Sequence, residues 1–119
     1  NIRRIAEVSK LFVDAGVVTF AAFVSPYLKD RDNIKDIVGY QNFVEVYVNT
    51  SIEECERRDV KGLYKKARAG EIRNMTGINA PYEPPIHPDI EIVTEKMTIE
   101  ESVKQVVEYI KNKITLKNE

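Results

Sequence analysis

The sequence predicts an α/β protein built around a parallel sheet. Three short apolar runs, rich in β-branched and aromatic residues, are typical of strands that are buried on both faces. Amphipathic helical patterns alternate with these runs, as they do in α/β folds. Three short strands make a thin sheet for this class, and the chain opens inside a helical pattern without an initiator methionine. We therefore expect further strands to precede residue 1.

The first helix is indicated by apolar residues that recur at spacings of three and four between Ile2 and Ala15. Gly16 comes next and suits the left-handed position that often follows a helix. The run VVTFAAFV at residues 17–24 lies between this glycine and Ser25. Residues 17–24 are therefore predicted to form the first buried parallel strand.

The second helix is predicted to begin at Ser25 and Pro26. Serine is a preferred N-cap residue, and proline is favoured at the first helical position because its fixed φ suits a helix. This helix would end near Gly39, since glycine commonly follows the last helical residue. The next apolar run, FVEVYV at residues 43–48, predicts the second strand.

Capping signals predict where the remaining helices begin. Thr50 and Ser51 are each followed three residues later by a glutamate, so a third helix is predicted to start there. Thr98 and Glu101 form the same pattern before a last helix with regularly spaced valine and isoleucine residues. Between these helices, after a loop rich in proline, residues 90–93 are predicted to form the third strand.

Composition and charge argue against several classes of function. A net charge of −1 gives no general attraction to nucleic acid or to an anionic membrane. No apolar run approaches the roughly 18–20 residues needed to span a bilayer. The single cysteine, Cys55, and the single histidine, His87, exclude an intrachain disulfide and a metal centre rich in cysteine or histidine. We expect a cytoplasmic location.

Ser25 is the first candidate for an anion-binding residue. In open α/β sheets, ligands bind beyond the carboxyl ends of the strands, and Ser25 follows the first predicted strand. A serine at the start of a helix can present its hydroxyl group together with the N–H groups of the first turn. The competing interpretation is a plain N-cap, which is the commoner meaning of such a serine.

The second candidate is the basic segment, defined as residues 57–73. It holds seven lysine or arginine residues and only two acidic ones, so its local charge is +5 in a chain of net charge −1. Phosphate or sulfate is the natural ligand of such a cluster, although a solvated helix face is the competing interpretation. The chain holds no phosphate-binding loop of the form GxxxxGK followed by serine or threonine. The pattern alone therefore predicts part of an α/β anion-binding domain.

Several segments read together are more specific. They are NIRRIAEVxKLFxDAG at 1–16, FVSPYxxDR at 23–31, CExRDVKGLYKKARAGEI at 55–72 and TGIxxPYE at 76–83. In this order and at these spacings they closely resemble adenylylsulfate kinase (APS kinase). The resemblance extends over nearly the whole chain, and the run at 58–72 is its most specific part.

The resemblance implies a P-loop kinase-type fold with three layers around a parallel sheet. The chain, residues 1–119, would be the C-terminal two-thirds of one kinase domain, an incomplete fragment with a lid near residues 57–80. The implied reaction phosphorylates adenylyl sulfate with ATP and Mg²⁺, giving 3′-phosphoadenylyl sulfate for sulfate assimilation. The family's P-loop and first strand would precede Asn1, so we expect the 119-residue chain alone to be inactive. In such kinases that strand lies between the strands matching residues 17–24 and 43–48.

The resemblance also implies roles for individual residues. Those matching positions at the adenylyl sulfate site are Asn1, Val24, Ser25, Lys61, Asn74 and Met75. Ser25 further matches a serine recorded in some members as a phosphoserine intermediate, whereas direct transfer is the simpler mechanism for a P-loop kinase. Asn74 and Met75 replace a common Gly-Phe pair whose phenylalanine stacks on the substrate adenine; a methionine thioether can still cover a ring.

For the nucleotide, the resemblance implies that Arg58 lies near the ATP adenine and that Thr94 lies in the loop beside it. A homodimer is also implied, and fusion to or association with an ATP sulfurylase stays open. Two alternatives to the enzyme remain: a non-catalytic fragment that keeps an anion-binding lid, and another small-molecule P-loop kinase. The run at residues 61–72 argues against the latter.

Overall fold

The structure, a computed structural model, describes residues 1–114, so the last five residues of the predicted domain lie outside the described part. Apart from residues 17–24, its helices and strands follow the predicted order along the chain. In chain order they are α1 (Ile2–Asp14), α2 (Leu28–Val38), β1 (Val46–Asn49), α3 (Ile52–Arg58), α4 (Leu63–Arg68), β2 (Ile90–Val93) and α5 (Ile99–Ile114). Short 3₁₀ turns occupy Tyr40–Asn42 and Thr94–Lys96. The predicted α/β class is confirmed.

Helices α1 and α2 pack against each other and enclose the main apolar core. Its buried members are Ala6, Ile34 and Val38. As predicted, Gly16 ends α1: it adopts φ 83°, and its N–H donates to the Val13 carbonyl at 2.9 Å. The Val17 N–H donates to the Phe12 carbonyl at 3.0 Å. These two bonds satisfy carbonyl groups that the helix end would otherwise leave unpaired.

Strands β1 and β2 form the parallel sheet, with Val46 opposite Ile90 and Asn49 opposite Val93. The third predicted strand has the predicted bounds, whereas the second begins three residues later than position 43. The reason is Asp89, whose carboxylate accepts the Glu45 N–H at 2.7 Å and takes that donor out of the strand ladder. Ile90 and Ile92 of β2 are buried.

The prediction of a first strand at residues 17–24 is wrong. This segment forms no ladder with any described residue, and its large apolar side chains are exposed, with Phe20 at 71% and Val24 at 64%. A strand requires a neighbour that pairs with its N–H and C=O groups, however well its side chains suit a sheet. Across from this segment, on the far side of an open cleft, lies β1.

The predicted start of α2 at Ser25 and Pro26 is also wrong, because the helix begins at Leu28. A remote residue, Glu83, explains the later start. Its backbone N–H donates to the Pro26 carbonyl at 2.7 Å, and its carboxylate accepts the Leu28 N–H at 3.2 Å. Residues 25–27 are thereby held outside the helix, and Glu83 caps it in place of Ser25.

The caps predicted at Ser51 and Thr98 are confirmed, whereas Thr50 does not cap α3: its hydroxyl pairs with that of Thr94. The Ser51 hydroxyl accepts the Glu54 N–H at 3.2 Å at the start of α3. Before α5, the Thr98 hydroxyl accepts the Glu101 N–H at 3.1 Å, and the Glu101 carboxylate accepts the Thr98 N–H at 3.3 Å. Both bonds of a capping box are therefore present. None of the helices in residues 1–114 has the length and apolarity that crossing a bilayer requires.

Candidate functional site

A cleft of about 1060 Å³ separates residues 17–25 from β1. Two pairs of the predicted substrate residues line it: Val24 with Ser25, and Asn74 with Met75. The cleft thus brings together residues about fifty positions apart. Among the described residues, Asn1 and Lys61 are not part of its lining.

Ser25 lies at the end of the extended segment, half-buried, and its carbonyl accepts a hydrogen bond from the Arg31 guanidinium. The first-turn donors of α2 are not presented beside it, because the helix starts at Leu28 and Glu83 accepts that first N–H. The interpretation of Ser25 as part of a helix N-terminal anion site is therefore wrong. What Ser25 offers to the cleft is its own hydroxyl group on a firmly held backbone.

Asn74 and Met75 lie in a tight turn. Asn74 has φ 60°, a left-handed conformation that glycine adopts freely and that asparagine tolerates better than most residues. This conformation accounts for how asparagine can stand where the resembling family commonly has glycine. The Asn79 side chain fixes the turn: its amide nitrogen donates to the Ile72 carbonyl at 2.8 Å, and its oxygen accepts the Met75 N–H at 2.5 Å. The Met75 side chain is thereby held at the cleft.

Lys61 lies in the turn between α3 and α4, and its side chain is exposed. Asp59 organises this turn, since its two carboxylate oxygens accept the Tyr64 N–H at 3.1 Å and the Lys65 N–H at 3.0 Å. Gly62 follows Lys61 with φ 66°, which L-residues rarely adopt. Asp59 and Gly62 together define where the backbone of Lys61 lies.

Arg58 and Thr94, the two predicted nucleotide residues, come together at the carboxyl end of the sheet. An Arg58 guanidinium nitrogen lies 3.4 Å from the Thr94 hydroxyl, which is 2.6 Å from that of Thr50. Glu54 binds Arg58 at 2.7 Å and also binds Arg57 at 2.5 Å. The hydrogen bond from Arg57 has the largest effect on the pKa of Glu54, followed by that from Arg58, and the pKa falls from 4.5 to about 2. The guanidinium of Arg58 is therefore oriented by a carboxylate that stays ionised.

The basic segment is partly neutralised by these and similar pairs. Arg68 binds Glu56 at 2.6 Å, and this hydrogen bond lowers the pKa of Glu56. In contrast, Lys61, Lys65 and Lys66 have no ion-pair partner within residues 1–114 and are exposed. The predicted cation cluster therefore contains three arginines paired with glutamates, two in α3 and one at the end of α4. Within residues 1–114, its unpaired cations are these lysines and Arg73, and they are the ones able to meet an anion from solution.

Asn1 stands at the N-cap of α1, where its carbonyl accepts the Ile5 N–H at 3.1 Å. Its side chain makes no capping bond and is exposed. No described group of three or more acidic, histidine or cysteine side chains could hold a metal ion.

Sequence reasoning missed four residues that shape this site: Arg31, Asp59, Asn79 and Glu83. Asp59 and Asn79 bind backbone groups within seven residues, which is the common behaviour of such side chains in turns, and could have been found from that tendency. Arg31 lies three and seven residues before the buried Ile34 and Val38, so it shares their helix face. Glu83 gives no local signal, because its partners lie more than fifty residues away.

A model of the adenylylsulphate kinase family matches residues 1–93 of this chain. A protein named adenylyl-sulfate kinase from Oceanobacillus iheyensis is 58% identical over 113 residues, covering 95% of this chain and 57% of the relative. One of the same name from Bacteroides thetaiotaomicron is 56% identical over 117 residues, covering 98% and 58%. The chain thus spans a little over half the length of these curated relatives.

Solved structures give the same picture of the fold. The APS kinase CysC of Mycobacterium tuberculosis, determined in complex with AMPPNP and APS, superposes with a TM-score of 0.87 at 36% identity. The alignment covers 92% of this chain and 64% of that one. The protein APE1195 superposes with a TM-score of 0.82 at 44% identity, covering 93% and 63%. The described elements therefore form part of the α/β fold of these kinases.

Proposed function

Because this chain belongs to the adenylylsulphate kinase family, we propose that its protein transfers the γ-phosphoryl group of ATP to the 3′-hydroxyl of adenylyl sulfate. The products are ADP and 3′-phosphoadenylyl sulfate, as in sulfate assimilation. The observation that carries this proposal is the shared cleft. By the family resemblance, Val24, Ser25, Asn74 and Met75 stand at positions expected to meet the substrate, and they line one cavity although they come from two distant segments.

Within this proposal, adenylyl sulfate binds at the end of the cleft where Val24, Ser25, Asn74 and Met75 lie, beyond the space between residues 17–24 and β1. The Met75 thioether lies against its adenine ring, and Ser25 offers a hydroxyl group to a polar part of the substrate. Lys61 approaches from the lid, near residues 57–80, and neutralises charge on the phosphosulfate. Asn1 contacts the same substrate. Phosphoryl transfer is direct, so Ser25 positions the substrate and forms no covalent bond with phosphate.

ATP binds at the carboxyl end of the sheet, next to the adenylyl sulfate. There the Arg58 guanidinium, held by Glu54, stacks on the adenine, and Thr94 lies beside it. Mg²⁺ would accompany the ATP phosphates and supply charge neutralisation. We further propose that the protein is a cytoplasmic homodimer that binds neither nucleic acid nor a membrane. An ATP sulfurylase, fused to the protein or associated with it, would supply the adenylyl sulfate.

The test is transfer of radiolabelled γ-phosphate from ATP to adenylyl sulfate by the full-length protein that carries this sequence. Adenosine 5′-phosphate, which lacks the sulfate, serves as the matched control substrate. We expect labelled 3′-phosphoadenylyl sulfate, and little transfer to the control. Labelling of a different small molecule would favour another P-loop kinase, and no labelling with nucleotide binding intact would favour a non-catalytic anion-binding protein.

A further inference from the structure

Arg31 is buried, with only 5% of its surface exposed, and yet it carries a full charge. It lies on the face of α2 that packs into the core through Ile34 and Val38. A leucine there would extend the apolar face by one turn, whereas burial of a guanidinium costs free energy unless its donors are satisfied. The hydrogen-bond partners of Arg31 therefore indicate its structural role.

Those partners, Ser25 and Glu83, belong to two loop segments that are far apart in the sequence and do not share a helix or a strand. One terminal nitrogen of Arg31 donates to the Ser25 carbonyl, and the other donates to the Glu83 carbonyl. The planar guanidinium places two donors in a fixed geometry, which a lysine cannot reproduce. The Glu83 N–H in turn donates to the Pro26 carbonyl at 2.7 Å. Arg31 thus fastens the segment after residues 17–24 to the end of the loop that carries Asn74 and Met75.

The same side chain is also fixed to the sheet. Its Nε lies 3.7 Å from a Glu45 carboxylate oxygen and has no hydrogen-bond partner within residues 1–114. Glu45 is itself buried, and its backbone binds Asp89 and Ile90 at the start of β2. The Tyr82 ring lies 5.7 Å from the guanidinium and stacks on Tyr47 of β1 at 6.4 Å. We name Arg31, Glu45, Tyr82 and Glu83 the arginine junction.

We infer that Arg31 is a positioning residue for the substrate cleft. By joining Ser25 to Glu83 and both to the sheet, it sets the distance between the two walls of the cleft. One wall carries Val24 and Ser25, and the other carries Asn74 and Met75. The inference rests on the proposed function for the identity of the substrate, adenylyl sulfate, while the positioning itself is a property of the described contacts.

The test compares Arg31→Lys with Lys35→Met in the full-length protein. Arg31→Lys keeps the positive charge but cannot donate to the Ser25 and Glu83 carbonyl groups with the fixed geometry of a guanidinium. Lys35→Met is the matched control, because Lys35 lies on the same helix and binds the same Glu45 carboxylate, at 3.8 Å. Its ammonium group also lies 5.7 Å from the Phe43 ring, whereas the bonds to Ser25 and Glu83 are made by Arg31. Steady-state kinetics would give KM for adenylyl sulfate and for ATP separately. Amide hydrogen exchange would report the Leu28 and Glu83 N–H groups.

We expect Arg31→Lys to raise KM for adenylyl sulfate about 10-fold to 100-fold, because small misplacements of binding groups have effects of this size. KM for ATP should stay within about twofold, and exchange in residues 25–31 and 80–86 should become faster. Lys35→Met should change neither. An unchanged KM for adenylyl sulfate in a folded Arg31→Lys protein would overturn the inference, as would an equal rise in both KM values.

The two readouts separate this inference from the proposed function. If the unaltered protein does not phosphorylate adenylyl sulfate, the proposed function fails. Faster exchange at Leu28 and Glu83 in Arg31→Lys, but not in Lys35→Met, would then still support Arg31 as the residue that joins the two walls. Unchanged exchange in both variants would overturn that role as well.

Discussion

Two regions of this chain are built on arginine–glutamate pairs, and they differ in burial. In the arginine junction the side chains of Arg31 and Glu45 are 6% and 10% exposed, respectively. In the basic segment and α3, Arg57 and Arg68 are 70% and 59% exposed. The exposed pairs are the shorter ones, at 2.5 and 2.6 Å against 3.7 Å. The N···O distance of an ion pair therefore does not indicate how much the pair contributes to stability. A buried charge without its partner is costly, whereas water replaces the partner of an exposed one.

The largest effect is expected when the buried junction loses its carboxylate. Glu45→Ala leaves the Arg31 charge buried without a counterion, and we expect the free energy of unfolding to fall by about 3–5 kcal/mol. Chemical denaturation of the full-length protein would measure it. Glu91→Ala is the matched control, because Glu91 lies on β2 in an exposed position, and its carboxylate accepts a hydrogen bond from the Asn49 amide at 2.9 Å. Equal losses in the two variants would contradict the contrast between buried and exposed carboxylates.

A smaller effect, on catalysis alone, is expected at Lys61. Lys61→Ala should lower kcat/KM for adenylyl sulfate by one to two decades, since a charge-assisted contact with an anionic substrate contributes roughly 1.5–3 kcal/mol. The melting temperature should hardly change, because the side chain is exposed. Lys104→Ala, at an exposed lysine of α5 outside the basic segment, is the control and should keep its kinetics. A large fall in melting temperature with normal kinetics would make Lys61 a structural residue.

The turn that carries Lys61 should respond less strongly. Asp59→Ala removes the acceptor of the Tyr64 and Lys65 N–H groups, and loss of such a cap costs about 1 kcal/mol. We also expect a moderate rise in KM for adenylyl sulfate, because the backbone of Lys61 is no longer fixed. Asp59→Asn keeps one acceptor oxygen and should lie between the two proteins. If Asp59→Ala changed KM for ATP instead, the turn would serve the nucleotide.

The smallest effect is expected at the exposed pairs. Glu54 has a pKa of about 2 in the folded protein, below its ordinary 4.5, so its contribution to stability is present above pH 4.5 and is lost as the pH falls towards 2. Because Arg57 and Arg58 pair with it at the surface, salt should screen this contribution. Glu54→Gln should therefore remove only a slight dependence of the melting temperature on pH in that window. A steep dependence at high salt would contradict the view that these pairs stabilise little.

Local signals predicted the parts of the fold that are decided locally. Ser51 and Thr98 begin helices because each finds its acceptor or donor partner three residues away. Gly16 ends a helix because it can adopt a positive φ. These contacts are complete within one turn of chain, so the neighbouring residues alone specify them.

Residues 17–24 show the limit of such reasoning. Their composition is that of a buried strand as much as that of residues 90–93, yet only the latter form one. Pairing depends on a neighbouring strand, and composition cannot show whether that neighbour is at hand. The cleft beside residues 17–24 and β1 has room for further chain, which agrees with the expected strand between them. That strand remains a prediction.

Some features of the candidate site were likewise predictable from the sequence, and others depended on tertiary contacts. The sequence by itself determined the α/β class, the helix caps and, through family resemblance, which residues are candidates for substrate binding. Only the tertiary structure decided that Ser25 does not cap α2 and that Glu83 does. It also decided that Arg31 is buried between two segments instead of facing water. The physical reason is that a side chain's burial and its distant hydrogen-bond partners depend on which segments meet in space, which local spacing does not encode.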